Sequence, residues 1–210
     1  NLALIENFQF RFHNQIKKIK ELLKNGAIGD IRNVRSTFCF PPFLDKNNIR
    51  YQKSLGGGSL LDAGAYPIKI SQIILGNELK VLNSDLYVDK VLGVDTWGSA
   101  TLKDQRTGVH SQISFGFDNF YQCNIEILGN IGKITADRIF TSPPGNEETL
   151  KLENKNGTEI IDIAPCNHFE NMLLYFSKLV NGNRKFKNEY VQNINQSRLI
   201  NEVKEKSGRS

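Results

Sequence analysis

The chain has 210 residues, 39% hydrophobic and 23% charged, enough to bury a substantial core and ordinary for a globular protein. No apolar run approaches the ~20 residues of a spanning helix, and the start lacks the charged-then-apolar pattern of a signal peptide, so no membrane partner is expected. The net charge of +5 comes from scattered lysines such as Lys17, Lys18, Lys20 and Lys24, not from a basic face with interleaved aromatics, which sets nucleic acid aside.

Residues 2–12 alternate loosely, with Phe8, Phe10 and Phe12 against Gln9 and Arg11, and this period of two predicts a strand. Ile16, Ile19, Leu22 and Leu23 recur at helical spacing up to Asn25-Gly26, where glycine suits a left-handed C-cap. Val34, Ser36, Phe38 and Phe40 resume a strand that Pro41-Pro42 ends. A polar loop over residues 43–54 leads to a helical pattern over 59–75, closed by Gly76. Pro67 either kinks that helix or marks its true start. Strands follow over residues 79–88, 96–102, 109–117, 122–128, 131–136, 148–153 and 159–163, the last two joined by a hairpin turn at 154–157. Two helices, 168–180 and 191–206, complete one domain over residues 1–210. The pattern predicts an α+β fold, with a largely antiparallel open sheet and helices packed on one face. No strand–GxGxxG–helix unit is present, so no residue here is expected to bind a dinucleotide.

Gly56-Gly57-Gly58-Ser59 admits three readings. It could be a flexible linker, although it runs straight into Leu60-Leu61. It could bring backbone N–H groups to an anion at a helix start, but a nucleotide P-loop would need Lys-Ser or Lys-Thr where Ser59-Leu60 stands. Or it could be the floor of an active site, since Asp62 and Tyr66, four residues apart, share a helix face and could address one reacting group. Against that last reading, Ser59-x-x-Asp62 also matches a capping box, and Tyr66 could be a packed aromatic. His110 and His168 lack acidic or cysteine partners at ligand spacing, and a lone histidine such as His13 at a strand end is commonly structural, so no metal site is expected. Cys39, Cys123 and Cys166 form no CxxC pair, which points to reduced thiols in a cytoplasmic protein. The first residue is Asn1 and the only methionine is Met172, so the chain reads as a piece of something longer.

The run from Gly56 to Tyr66 resembles the GGG-x-L-x-D-x-G-x-[HY] signature of the Gfo/Idh/MocA oxidoreductases. Residues 6–13 followed by Gly26-Ala27-Ile28-Gly29-Asp30-Ile31 are similar to that family's E-x-F-x-x-R-x-H … G-x-I-G-x-[IV] passage, and the final helix with Ser197, Leu199, Ile200, Ser207 and Gly208 is weakly similar to its last helix. The resemblance implies the C-terminal, substrate-binding and oligomerisation domain of an NAD- or NADP-dependent oxidoreductase, with the Rossmann domain and its Glu-Lys-Pro lysine absent from these residues. It implies a sugar or sugar-nucleotide substrate, a homo-oligomer formed through the open sheet, no cofactor bound here and no activity without the Rossmann domain. Asp62 would orient the substrate and Tyr66, where many members have histidine, would exchange the proton. The run Phe38-Cys39-Phe40-Pro41-Pro42 with Ile49-Arg50-Tyr51 resembles the sugar-nucleotide ketoreductases in particular, so Arg11 or Arg50 could meet a diphosphate, with His13, Gly57 and Gly58 lining the pocket. The alternative is a non-catalytic module that assembles through its sheet or binds a ligand.

Overall fold

The computed structural model describes residues 2–45, 47–182 and 187–208. Eight strands form one sheet: β1 (Ile31–Cys39), β2 (Leu79–Val88), β3 (Asp95–Asp104), β4 (His110–Gly116), β5 (Gln122–Gly129), β6 (Gly132–Asp137), β7 (Glu148–Asn154) and β8 (Gly157–Ile163). Four α-helices accompany them: α1 (Asn14–Lys24), α2 (Ala65–Leu75), α3 (His168–Val180) and α4 (Lys187–Lys206). The strand order is β2-β3-β4-β1-β5-β6-β7-β8. Neighbours are antiparallel except for β1 and β4, which run parallel with Val34 opposite Ser111 and Phe38 opposite Phe115. The expected α+β fold with a largely antiparallel sheet is therefore present. The parallel pair arises because β1, first in sequence, is inserted between β4 and β5 in space.

Alternation along the strands selects the covered face. Val34, Ser36 and Phe38 of β1, Ile113 and Phe115 of β4 and Cys123, Ile125 and Ile127 of β5 are buried beneath the helices. Ile68 and Ile70 of α2 and Leu199 and Val203 of α4 complete that layer. Burial of such side chains contributes about 1.5–3 kcal/mol each. The opposite face carries a charged lattice in which Glu126 meets Arg35 and Lys133, while Glu153 meets Lys133 and Lys151. Such exposed pairs add little stability and chiefly keep the face hydrated.

Residues 2–12 do not form the expected strand. Gln9–Phe12 is a 3-10 turn, with the N–H of Arg11 donating to the Phe8 carbonyl and that of His13 to the Phe10 carbonyl. The alternating phenylalanines reach different partners, Phe10 packing edge-on to Phe140 at 5.0 Å and Phe12 against Tyr175 at 5.1 Å. Period two reflected local packing into a core, not a place in a sheet.

The helix over residues 59–75 is resolved into two parts. A wide π-turn, Leu60–Gly64, leads into α2, and Pro67 sits in the first turn of the α-helical part, where its missing N–H costs least. Gly64 is needed at the junction, because a Cβ there would lie 3.0 Å from the Phe115 ring and 3.1 Å from Leu60. This close approach brings the turn down onto the centre of the sheet.

One buried group runs against the core. Lys69 on α2 is 0% exposed, its ammonium has no hydrogen-bond partner among the described residues, and it lies 5.5 Å from the Phe8 ring centroid. Burial and then Arg11 push its pKa down from 10.5 to about 8, against the opposing pull of Glu6 and Glu189. The unfolded chain therefore takes up this proton at higher pH than the folded one. Stability from this group falls as pH drops from about 10.5 to about 8 and is level below that. Lys69→Met is expected to raise stability at pH 7 by about 1–3 kcal/mol, with the gain shrinking as pH rises toward 10. Urea unfolding at pH 7 and pH 9.5 checks this; an equal gain at both, or a loss at pH 7, contradicts it.

Candidate active site

The glycine run is neither a linker nor disordered. The N–H of Gly57 donates to the Gln52 carbonyl and that of Gly58 to the Arg50 carbonyl, docking the run on the 3-10 turn Ile49–Tyr51. A Cβ on Gly57 would stand 2.6 Å from the Arg50 carbonyl oxygen, so only glycine permits this backbone approach. Gly58 has φ +122°, and a Cβ there would meet an Asp95 carboxylate oxygen at 2.3 Å.

Asp95, at the start of β3, supplies what the sequence assigned to a capping box. Its Oδ2 accepts from the Leu60 N–H at 2.6 Å and from the Ser59 hydroxyl at 2.8 Å, while Ser59 itself caps nothing. The capping reading of Ser59 and Asp62 is thus corrected: a carboxylate distant in sequence satisfies the N-terminus, and Asp62 is released for another role. That role is a contact with Arg50, whose Nε lies 2.7 Å from Asp62 Oδ2 as an ion pair not aligned as a hydrogen bond. The Arg50 guanidinium also stacks over Phe43 at 4.7 Å. Ile49, Arg50, Leu55, the three glycines, Leu61 and Asp62 line a cavity of about 160 Å³.

Tyr66 stands one turn further on, half-buried in an aromatic box of Phe8, Phe10, Phe38 and Phe140 with ring centroids 5.1–5.8 Å away. Burial raises its phenol above the ordinary value of 10, and the Asp62 carboxylate raises it further; Arg50 and a hydrogen bond with Gln9 pull the other way. Near neutrality Tyr66 is a phenol with a proton to give, not a base.

The structure therefore brings Asp62, Arg50, Gly57 and Gly58 around one cavity with Tyr66 beside it. It does not bring Arg11 and His13 to that cavity. Arg11 makes a two-pronged bond to Glu189 at 2.8 and 3.0 Å and lines a larger, polar cleft with Tyr175 and Gln192. Burial alone would raise Glu189, but hydrogen bonds from Arg11 and from Tyr175 at 2.7 Å hold its carboxyl below the usual range. His13 is buried as the N-cap of α1, its Nδ1 accepting from the Gln15 N–H at 3.2 Å. Gln9 and Asp95 are the residues that sequence reasoning missed; neither carries a local signal, since each meets the site only through tertiary contact. Among the described residues no helix is long and apolar enough to cross a membrane.

A helix-covered, mostly antiparallel sheet thus carries a glycine-docked carboxylate–arginine pair with a tyrosine beside it. The pattern of the GFO/IDH/MocA C-terminal domain matches residues 16–135, and the chain belongs to that family. Among its relatives is the dTDP-3,4-didehydro-2,6-dideoxy-alpha-D-glucose 3-reductase of Streptomyces violaceoruber, 40% identical over 75% of this chain and 46% of that protein. The enzyme of the same name from Actinomadura kijaniata is 30% identical over 97% of this chain and 60% of its own length. A crystal structure of a 3-ketoreductase from Actinomadura kijaniata with NADP and TDP-benzene superposes with a TM-score of 0.91 at 30% identity, covering 98% of this chain and 62% of that one. An aldose-aldose oxidoreductase from Caulobacter crescentus shares the fold, with a TM-score of 0.85 at 19% identity. The chain thus spans about half to three-fifths of the length of these relatives.

Asp95→Ala is expected to cost about 1–2 kcal/mol of stability through loss of the cap. It is also expected to weaken the Asp62–Arg50 pairing by freeing the π-turn. Thermal unfolding measures the first; an unchanged midpoint would show that Asp95 does not hold the turn.

Proposed function

We propose that the intact protein reduces the keto group of a nucleotide-linked deoxysugar, and that this chain holds the sugar and supplies the proton. The observation carrying the reading is the phenol of Tyr66, kept protonated by its surroundings beside the Asp62–Arg50 pair. Relatives that act on dTDP-linked ketosugars support the substrate class.

In the reduction, a nicotinamide supplies hydride to the carbonyl carbon. NAD or NADP would be held by a Rossmann domain outside these residues, without which this chain is inactive. What this chain does is electrostatic and protic. As negative charge grows on the substrate oxygen, the Tyr66 hydroxyl donates its proton to it, leaving a phenolate that is reprotonated from water. Arg50 would stabilise that phenolate and meet a phosphate oxygen, while Asp62 orients Arg50 and accepts from a sugar hydroxyl.

In the full-length enzyme, Tyr66→Phe is expected to lower kcat about 10²–10⁴-fold with KM nearly unchanged. Unchanged turnover, with a folded variant, would remove Tyr66 from the chemistry and with it this reading. The pH profile gives a second check. Because the acid must be protonated and its pKa is raised, reduction should keep its rate across pH 7–9 and decline only above the ordinary phenol range of about 10. An alkaline limb near pH 7 that vanishes in Tyr66→Phe would contradict the assignment.

A second reading, self-association through the uncovered sheet face, has one observation in its favour. Tyr87 and Trp97 stack at 5.0 Å with planes 5° apart on that face while remaining 47% and 41% exposed. Trp97→Glu should then shift the solution mass downward; the same mass before and after speaks against this face as the contact.

A further inference from the structure

Three side chains that belong to no part of the proposed reaction meet at the junction of α1 and α3. His13 ends the 3-10 turn Gln9–Phe12 and begins α1, Cys166 lies just before α3, and His168 is its first residue. Two cross-links hold these segments together: the Asn14 side chain donates to the Ala164 carbonyl at 2.8 Å, and that of Asn171 to the Phe12 carbonyl at 3.3 Å. One ligand atom of each residue lies within 4.8 Å of the others, and the imidazole rings sit edge to face at 5.2 Å. His13 and His168 are 3% and 2% exposed. His13 Nε2 and His168 Nδ1 are both buried without a hydrogen-bond partner. A buried nitrogen left unpaired is destabilising, and two in one cluster beside a free thiol call for an explanation.

We propose that His13, Cys166 and His168 form a binding site for a borderline-soft divalent transition cation of the zinc type. The donor set is two imidazoles and one thiolate, which selects such an ion over the oxygen-seeking magnesium and calcium. Three protein ligands leave a fourth, tetrahedral position for water. Bond lengths of about 2.0 Å to nitrogen and 2.3 Å to sulfur require the donors to stand about 3.3–3.5 Å apart, so the cluster must tighten by up to about an ångström. Cys166, in an irregular segment and only half-buried, can supply that movement.

The proton balance is definite. The Cys166 thiol loses its proton to solvent as the sulfur–metal bond forms. His13 uses Nδ1 to accept from Gln15, so its neutral ring carries the proton on Nε2; ligation through Nε2 moves that proton to Nδ1 and gives up the cap bond. A lost cap is small beside the free energy that a structural zinc site contributes.

Cobalt(II) titration of the 210-residue chain tests the site. The expected result is saturation at one equivalent, with a thiolate-to-cobalt charge-transfer band and the intense visible bands of tetrahedral coordination, all displaced by zinc. Cys166→Ser should abolish the charge-transfer band, and zinc should protect Cys166 from alkylation in the unmodified chain. The serine variant replaces a half-buried loop residue, so it stays informative even if substitutions at the helix-capping His13 prevent folding. A charge-transfer band that survives in Cys166→Ser would assign the cobalt to Cys39 or Cys123 and overturn the proposal. Absence of saturable binding, or only the weak spectrum of six-coordinate cobalt, would overturn it equally.

Discussion

The approach of α2 to the sheet depends on a missing side chain. At Gly64 the helix axis comes so near β4 that a single methyl would press on Phe115, and the widened π-turn before it lets the chain bend into that contact. From this seat everything else in the candidate site follows. Asp62 and Tyr66 flank Gly64 in the chain, so the depth of the helix on the sheet sets where a carboxylate and a phenol emerge. Asp95, from the neighbouring strand, then secures the start of the turn with two hydrogen bonds. The lack of a side chain at Gly57 and Gly58 lets the preceding loop, and with it Arg50, come into reach.

The electrostatics of the site hold the proton on Tyr66. A phenol surrounded by four aromatic rings cannot easily hold negative charge, and a neighbouring carboxylate makes that harder. Loss of that proton would leave a phenolate, whose charge only the Arg50 guanidinium and the Gln9 hydrogen bond are there to offset. Lys69, buried three residues beyond Tyr66, shows the complementary behaviour of a cation whose burial drives it toward neutrality. Its carboxylate neighbours soften that effect without forming a direct pair.

Much of the sheet was legible in the sequence because strand alternation is a local property. The span Leu79–Val88 and the helix His168–Val180 fall where periodicity places them, and the turn before Gly157 joins β7 to β8 as its composition suggests. Phe8, Phe10 and Phe12 misled for the same reason: alternation records burial on one side, and a 3-10 turn packed in an aromatic core can show it without any strand partner. Ser59 and Asp62 matched a capping motif, yet their cap comes from Asp95, a residue whose position has no bearing on that motif in sequence. His168 looked isolated from other ligands because spacing along the chain cannot show that His13 folds against it.

By itself the sequence determined the α+β class, most of the alternating strands and the family resemblance, because each depends on residues a few positions apart. Only the tertiary structure decided that β1 lies parallel to β4 in the middle of the sheet, that Arg50 rather than Arg11 meets Asp62, and that burial and Asp62 raise the pKa of Tyr66. Those outcomes depend on which distant groups share a low-dielectric space. Distance and desolvation, unlike periodicity, are not written along the chain.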